Sequence, residues 1–287
     1  MKHFFQINDL KNKKSYFFNS QFKPIPPPNI QKVALGFPKA ILFHPPIHNK
    51  IYAYVIDNKN RIQYFYTKEY KEQMENKKYN KFPKLIQPIQ KLINECSKQN
   101  NDICKSILMM NECNFRIGHE KYKKLYNTNG TLTLSHKHLH KNGNNINIQF
   151  LGKKQEENFC SISPKSKLYS NLQSSIKNKK QLFNNINYND VYNFLKEYNL
   201  KPKDIRQYSA NLIFFSNLQK NIINDKPKKY LKNILQLTAQ KMNHTPSVCK
   251  KEYLMPQWFN EDKLEEIQKY AQNNNFEKTI NYIIKKN

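Results

Sequence analysis

Residues 240–253 read QKMNHTPSVCKKEY, which places a histidine, a Thr-Pro break and, nine residues past the histidine, a tyrosine in one short stretch. A tyrosine hydroxyl can act as a nucleophile, and an imidazole can carry a proton or donate a hydrogen bond. With 18 tyrosines and 8 histidines in the chain, these two residues specify little by themselves. The arginines specify more. Of the 49 basic residues only Arg61, Arg116 and Arg206 are arginines; the other 46 are lysines, and asparagine is similarly abundant, a bias that reads as drift toward AT-rich codons. Where lysine is accepted almost everywhere, a surviving arginine marks a position that needs a planar, permanently charged, two-pronged donor. Phosphate oxygens suit such a donor.

The elements that must hold these residues are largely helical. Leu231, Ile234, Leu235 and Thr238 repeat at helical spacing and predict a buried helix over 228–242. Pro246 ends it and suits the first position of a following helix, which puts His244 in the corner between the two and Tyr253 two turns down the second. Val191, Phe194, Leu195 and Tyr198, then Ile205, Tyr208, Leu212 and Phe215, predict two more helices, the later one carrying Arg206. Helices also read over 85–96, 103–110 and 115–125, and around 264–271 and 276–284. Residues 131–160 carry strand patterns: Ile146, Ile148 and Phe150 alternate ahead of Gly152-Lys153-Lys154, a hairpin tip. Residues 161–180 are a serine- and lysine-rich connection.

Residues 1–66 alternate short apolar runs with proline punctuation: PIPPP at 24–28, then runs at 32–35, 40–43, 51–56 and 62–66. This predicts a small antiparallel β domain, with Asp57-Asn58-Lys59-Asn60 turning a hairpin between the last two strands. Residues 67–81 are charged and poor in large aliphatics, so they form a linker or an exposed helix. The expected fold is α+β: an N-terminal β-rich domain, 1–75, and a larger, mainly α-helical domain with a β-hairpin, 76–287.

The formal charge of +28 and pI near 9.7 exceed what solubility needs and point to a polyanion, nucleic acid above all. The five cysteines, at 96, 104, 113, 160 and 249, contain no CxxC pair, so neither a disulfide framework nor a zinc ribbon is expected, and the compartment reads as reducing. No apolar run has the length of a signal peptide core or a membrane span, which predicts a soluble, intracellular protein. The five glycines form no GxxxxGK phosphate loop.

In order, the residues singled out are Arg116 in FRIGHEKY, Lys153 in FLGKK, Arg206 in DIRQYSAN, His244 in HTPS and Tyr253 in KKEY. With NGTLTLSHKHL after the first arginine and DNKNRIQYFY near the N-terminus, this order resembles the poxvirus-type, type IB DNA topoisomerases over roughly residues 31–255. The resemblance implies the fold shared by type IB topoisomerases and tyrosine recombinases, double-stranded DNA as partner, a monomer acting as a clamp, and no metal or other cofactor. It further implies relaxation of positive and negative supercoils through a 3′-phosphotyrosyl intermediate on Tyr253. Arg116, Arg206 and His244 would then stabilise the transition state, with backbone N–H groups of the helix starting near Pro246 as added donors. Lys153 would serve as general acid to the leaving 5′-oxygen. GKK stands where close relatives have GKD, so Lys154 competes with Lys153 for that role. A viral source and packaging in the virion are implied by the family alone.

For DNA contact the resemblance points to Arg61, Gln63, Tyr64 and Tyr66, on a strand whose alternate residues would face one groove, and to Lys121 and Tyr122, one helical face beyond Arg116. His136, His138 and His140 would share a strand face able to take zinc or copper, but no acidic or cysteine partner stands near them in sequence. The chief alternative activity is a tyrosine site-specific recombinase, in which the second arginine commonly sits in HxxR; here Lys203 holds the histidine's place. A non-catalytic DNA-binding protein of the same shape is the third reading.

Overall fold

The structure, a computed structural model, describes residues 2–57, 60–221 and 226–285. The chain falls into two compact units, Met1–Asn80 and Lys81–Asn287. The 75/76 boundary read from sequence lies inside the same helix, α1 (Lys68–Lys81), as this division.

The first unit is a six-stranded antiparallel sheet in the order β3-β2-β1-β4-β5-β6, with β1 Lys2–Asp9, β2 Lys14–Phe18, β3 Pro24–Ile25, β4 Lys39–Ile47, β5 Ile51–Ile56 and β6 Ile62–Tyr66. One face carries the core: Phe17, Ala40, Leu42, Tyr52, Ala53 and Val55 are buried, with Phe37 and Phe65 packed against them. The run 32–35 is no strand. It belongs to a loop that lays Val33 over this core, and Gln6 gives it the hydrogen bonds a strand neighbour would give. Gln6 Nε2 donates to the Val33 carbonyl at 2.7 Å, and the Val33 N–H donates to Gln6 Oε1 at 2.9 Å. β1 lacks a clean apolar alternation for the same reason, because Gln6 and Asn8 are polar residues on its buried face. The expected turn includes residues 58 and 59, which lie outside the described residues; the strands on either side pair, Ile56 opposite Ile62.

The second unit packs helices around α7 (Pro202–Lys220), which is buried on most sides. α2 (Pro83–Lys98), α3 (Asp102–Glu112), α6 (Tyr188–Glu197), α8 (Pro227–Lys241), α10 (Leu264–Asn273) and α11 (Phe276–Lys285) stand where the apolar periodicity puts them. A three-stranded antiparallel sheet, β7 (Leu139–Asn142), β8 (Asn145–Leu151) and β9 (Glu157–Ile162), supplies the expected hairpin between β8 and β9.

Three sequence expectations fail here. The connection 161–180 contains α5 (Tyr169–Asn178), whose sparse stripe of Leu168, Leu172 and Ile176 is enough to seat it. The helix read over 115–125 shrinks to α4 (Glu120–Tyr126), so Arg116 precedes it on extended chain. Cys113 and Cys160 form a disulfide with a Cα–Cα distance of 5.4 Å. Partners separated by 47 residues escape a search for closely spaced pairs.

Candidate active site

Arg206 sits in the second turn of α7, whose start is fixed by Pro202 and by the Lys201 N–H donating to Asp204 Oδ2 at 2.9 Å. His244 lies in the turn after α8. Asn243, at φ 54°, adopts the left-handed conformation that asparagine tolerates, and the His244 N–H closes the turn onto the Ala239 carbonyl at 3.0 Å. α9 (Pro246–Glu252) then begins at its Thr245 cap, and Tyr253 follows its last residue. Asn211, one turn and more along α7 from Arg206, fixes the chain that leaves the tyrosine. Its Nδ2 donates to the Tyr253 carbonyl at 2.9 Å, and its Oδ1 accepts from the Met255 N–H at 3.1 Å and Trp258 Nε1 at 2.8 Å.

Arg116 is held by its backbone. Its carbonyl accepts from the Thr131 N–H and that of Ile117 from the Leu132 N–H, both at 2.8 Å. This pairing crosses two glycines so closely that a Cβ on Gly130 would lie 2.6 Å from the Gly118 Cα and 2.7 Å from the Arg116 carbonyl oxygen. Lys153 stands at the β8–β9 tip. There the Gly152 N–H donates to the Glu156 carbonyl at 2.8 Å, Lys154 turns left-handed at φ 67°, and Gln155 Nε2 ties the tip to the Tyr126 carbonyl at 3.0 Å.

These five side chains, scattered over more than 130 residues of sequence, line one open cleft of about 940 Å³. Seven lysine and arginine side chains line it (Arg116, Arg206 and lysines 153, 154, 201, 203 and 251) against Glu156 and Glu252. The cleft is therefore built for an anion.

Within it, Arg206 is only 3% exposed. Its Nη2 donates to His244 Nε2 at 2.6 Å, while Nε and Nη1 are buried without a hydrogen-bond partner. Orphan guanidinium donors at that depth are costly unless an acceptor arrives, and two donors on one planar fork match two phosphate oxygens. Burial pushes the Arg206 pKa down to about 10; Tyr253 raises it, and Arg116 lowers it further. Arg206 stays charged at neutral pH. His244 is pushed down to about 3 by burial, then by Arg206 and Arg116, so its imidazole is neutral, as acceptance from Arg206 requires. The Tyr253 ring stacks on His244 at 4.9 Å and 13°, with the Arg206 guanidinium carbon 5.1 Å and Lys203 Nζ 5.7 Å from its centre. Lys203 also pairs with Glu252 at 2.8 Å.

The expectation of backbone donors at the start of α9 loses ground. Pro246 has no N–H, and the Val248 N–H is taken by Thr245 Oγ1 at 3.4 Å. The cleft also contains residues the sequence reading passed over, Tyr188 and Tyr192, stacked at 5.9 Å on α6. Their i, i+4 spacing beside the buried Val191 and Leu195 was the available signal.

The other nominated residues lie elsewhere. Lys121 and Tyr122 are exposed on α4, Tyr122 stacking on Tyr126 at 6.1 Å. Arg61 precedes β6, and the three residues within it do not share a face. Gln63 pairs opposite the buried Val55, whereas Tyr64 pairs opposite Tyr54 on the other face, where it is half exposed. Asp57 Oδ2 accepts from Arg61 Nη2 at 2.7 Å and from Gln63 Nε2 at 3.2 Å. Nor do the three histidines share a strand: His136–His138 is a helical turn, β7 starts only at Leu139, and the Ser135 N–H donates to His138 Nδ1 at 3.0 Å. Among the described residues no group of three His, Cys, Asp or Glu could hold a metal ion, and no helix is long and apolar enough to cross a membrane.

An α+β fold whose helical unit gathers Arg, Lys, Arg, His and Tyr in one basic cleft is of the type IB DNA topoisomerase kind. Residues 67–285 match the family described as eukaryotic DNA topoisomerase I, catalytic core, and the chain belongs to that family. Over 213 residues it is 30% identical to the DNA topoisomerase 1B of Vaccinia virus (strain Copenhagen) and 29% identical to the DNA topoisomerase 1 of Rabbit fibroma virus (strain Kasza), in both cases 69% of this chain and 68% of the relative. The DNA topoisomerase 1B of Acanthamoeba polyphaga mimivirus is 25% identical over 239 residues, 72% of this chain and 71% of that protein. These relatives are viral proteins.

Proposed function

We propose that the protein relaxes supercoiled DNA, acting as a monomer without ATP or metal. The Tyr253 oxygen attacks a backbone phosphorus, the bond to the 5′-oxygen breaks, and the DNA 3′-phosphate becomes esterified to the tyrosine. The cut strand swivels; the free 5′-hydroxyl then attacks the phosphotyrosine and expels Tyr253, which restores the backbone with no outside energy. Arg116 and Arg206 meet the charge that grows on the non-bridging oxygens. His244, neutral in its surroundings, adds a donor once a phosphate oxygen takes over its Arg206 partner and the imidazole proton sits on Nε2. Lys153 protonates the departing 5′-oxygen as it leaves. Lys121, Tyr122, Tyr64 and Tyr66 contact the duplex away from the chemistry, as do Arg61 and Gln63 after exchanging Asp57 for phosphate. Association with a virus particle is part of the same reading and rests on the viral relatives.

The observation that carries this reading is the pair of unpartnered donors on buried Arg206, in the cleft that also holds Tyr253 and His244. The test is plasmid relaxation in excess chelator without nucleotide. Positively and negatively supercoiled plasmids are both expected to relax; a requirement for magnesium or ATP, or relaxation of one sign only, would refute the reading. Alanine at 153 and at 154 in turn assigns the acid. Lys153→Ala is expected to lower the cleavage rate by about 10²-fold or more and Lys154→Ala by less than about tenfold. The reverse order would move the role to Lys154.

A further inference from the structure

Strand β9 lies at the edge of its sheet, paired only with β8, and an edge strand leaves outward N–H and C=O groups unpaired. Two consecutive residues of β9 are nevertheless tied to the cleft's other walls. The Phe159 N–H donates to Asn243 Oδ1 at 2.9 Å, and Asn243 directly precedes His244. Cys160 is bonded to Cys113, three residues before Arg116, at the end of α3. β9 is also the strand that closes the hairpin presenting Lys153. One edge strand thus joins the pieces of backbone that present the lysine, the histidine and the first arginine. Neither link touches the cleft, since none of Cys113, Asn243, Phe159 and Cys160 lines it.

Resting on the function proposed above, we propose that Asn243 and the Cys113–Cys160 disulfide are positioning groups. They lock β9 in register with the Arg116 and His244 segments, so that reduction of the disulfide slows strand cleavage without weakening DNA binding. Asn243 serves two purposes at once. It accepts the left-handed turn, which glycine would do as well, and its side-chain oxygen covers an edge donor, which glycine cannot do. The disulfide is open to reductant from one side: Cys113 is buried, whereas Cys160 is partly exposed. A dithiol's thiolate attacks Cys160 Sγ and Cys113 leaves as thiolate. The reductant's second thiol then closes its own disulfide and frees Cys160, so the two electrons come from the dithiol. Active groups displaced by about an ångström lose on the order of 10²-fold in rate, so a partial loosening is expected to cost about tenfold.

The test compares wild type in oxidised and dithiothreitol-reduced forms, with thiol titration confirming two additional free cysteines in the reduced form. Plasmid relaxation with enzyme in excess gives the rate, and filter retention of the same plasmid gives the affinity. Reduction is expected to lower the rate about tenfold at unchanged affinity, with recovery on reoxidation. Asn243→Gly is expected to lower it similarly, and Asn243→Asp, which keeps the side-chain acceptor, to stay near wild type. A rate independent of redox state overturns the inference whatever the Asn243 variants do, as does a rate that falls only in step with affinity. Failure of the oxidised wild type to relax plasmid at all would instead strike the proposed function.

Discussion

Replacing Tyr253 by phenylalanine is expected to abolish covalent attachment to DNA and lower relaxation to below about one part in 10⁴ of wild type, while leaving DNA affinity and thermal stability close to unchanged. The ring's surroundings account for both halves. Its packing on His244, and beneath the Arg206 and Lys203 cations, involves the aromatic face, which phenylalanine keeps. The backbone beyond it is fixed by Asn211 through the carbonyl of residue 253, which the substitution does not touch. Only the nucleophilic oxygen is lost. Denaturant-trapped protein on labelled plasmid measures the adduct, and a melting curve measures the fold. If the variant still attached to DNA, the nucleophile would be another residue.

Arg206→Lys is the second large effect. The charge is conserved, yet the expected loss in cleavage rate is about 10²-fold or more. A guanidinium directs Nη2 to His244 while Nε and Nη1 are left for an acceptor. An ammonium presents one point charge on a flexible stem and cannot hold the imidazole and bracket two phosphate oxygens together. At 3% exposure, the exchange of a planar group for a narrower one also leaves unfilled space beside Tyr253. A cleavage-rate series of wild type, Arg206→Lys and Arg206→Ala separates charge from geometry. A lysine variant near wild type would mean that charge alone suffices. A lysine variant as poor as alanine would place the whole effect in the fork.

Much of the cleft was readable because its anchors are local. Proline at 246 and the four-residue beat of Leu231, Ile234, Leu235 and Thr238 locate the corner at His244, and Arg206 falls within a strong helical repeat. What escaped was set by partners distant in sequence. Arg116 falls within the helix expected over 115–125, but its conformation is decided by hydrogen bonds to residues 131 and 132. β1 was obscured by Gln6 and Asn8, whose polarity breaks the strand alternation and whose purpose is to bond a covering loop. The resemblance groups Gln63, Tyr64 and Tyr66 of β6 as one DNA-facing set, whereas the period of two sends Gln63 and Tyr64 to opposite faces. Cys113 and Cys160 gave no local signal at all.

The crossing of Gly118 and Gly130 bears on how such a chain can change. Codon drift that has left five glycines and three arginines in 287 residues has nonetheless placed two of those glycines at one backbone contact, beside one of those arginines. Gly118 sits at φ 79°, and a methyl on Gly130 would strike the carbonyl of Arg116 itself. A side chain at Gly130 would therefore push on the arginine's own backbone, whereas one at Gly118, already strained at that φ, would press on Gly130. Wherever else the composition drifts, these two glycines are held by the room their crossing leaves, not by anything their absent side chains could touch.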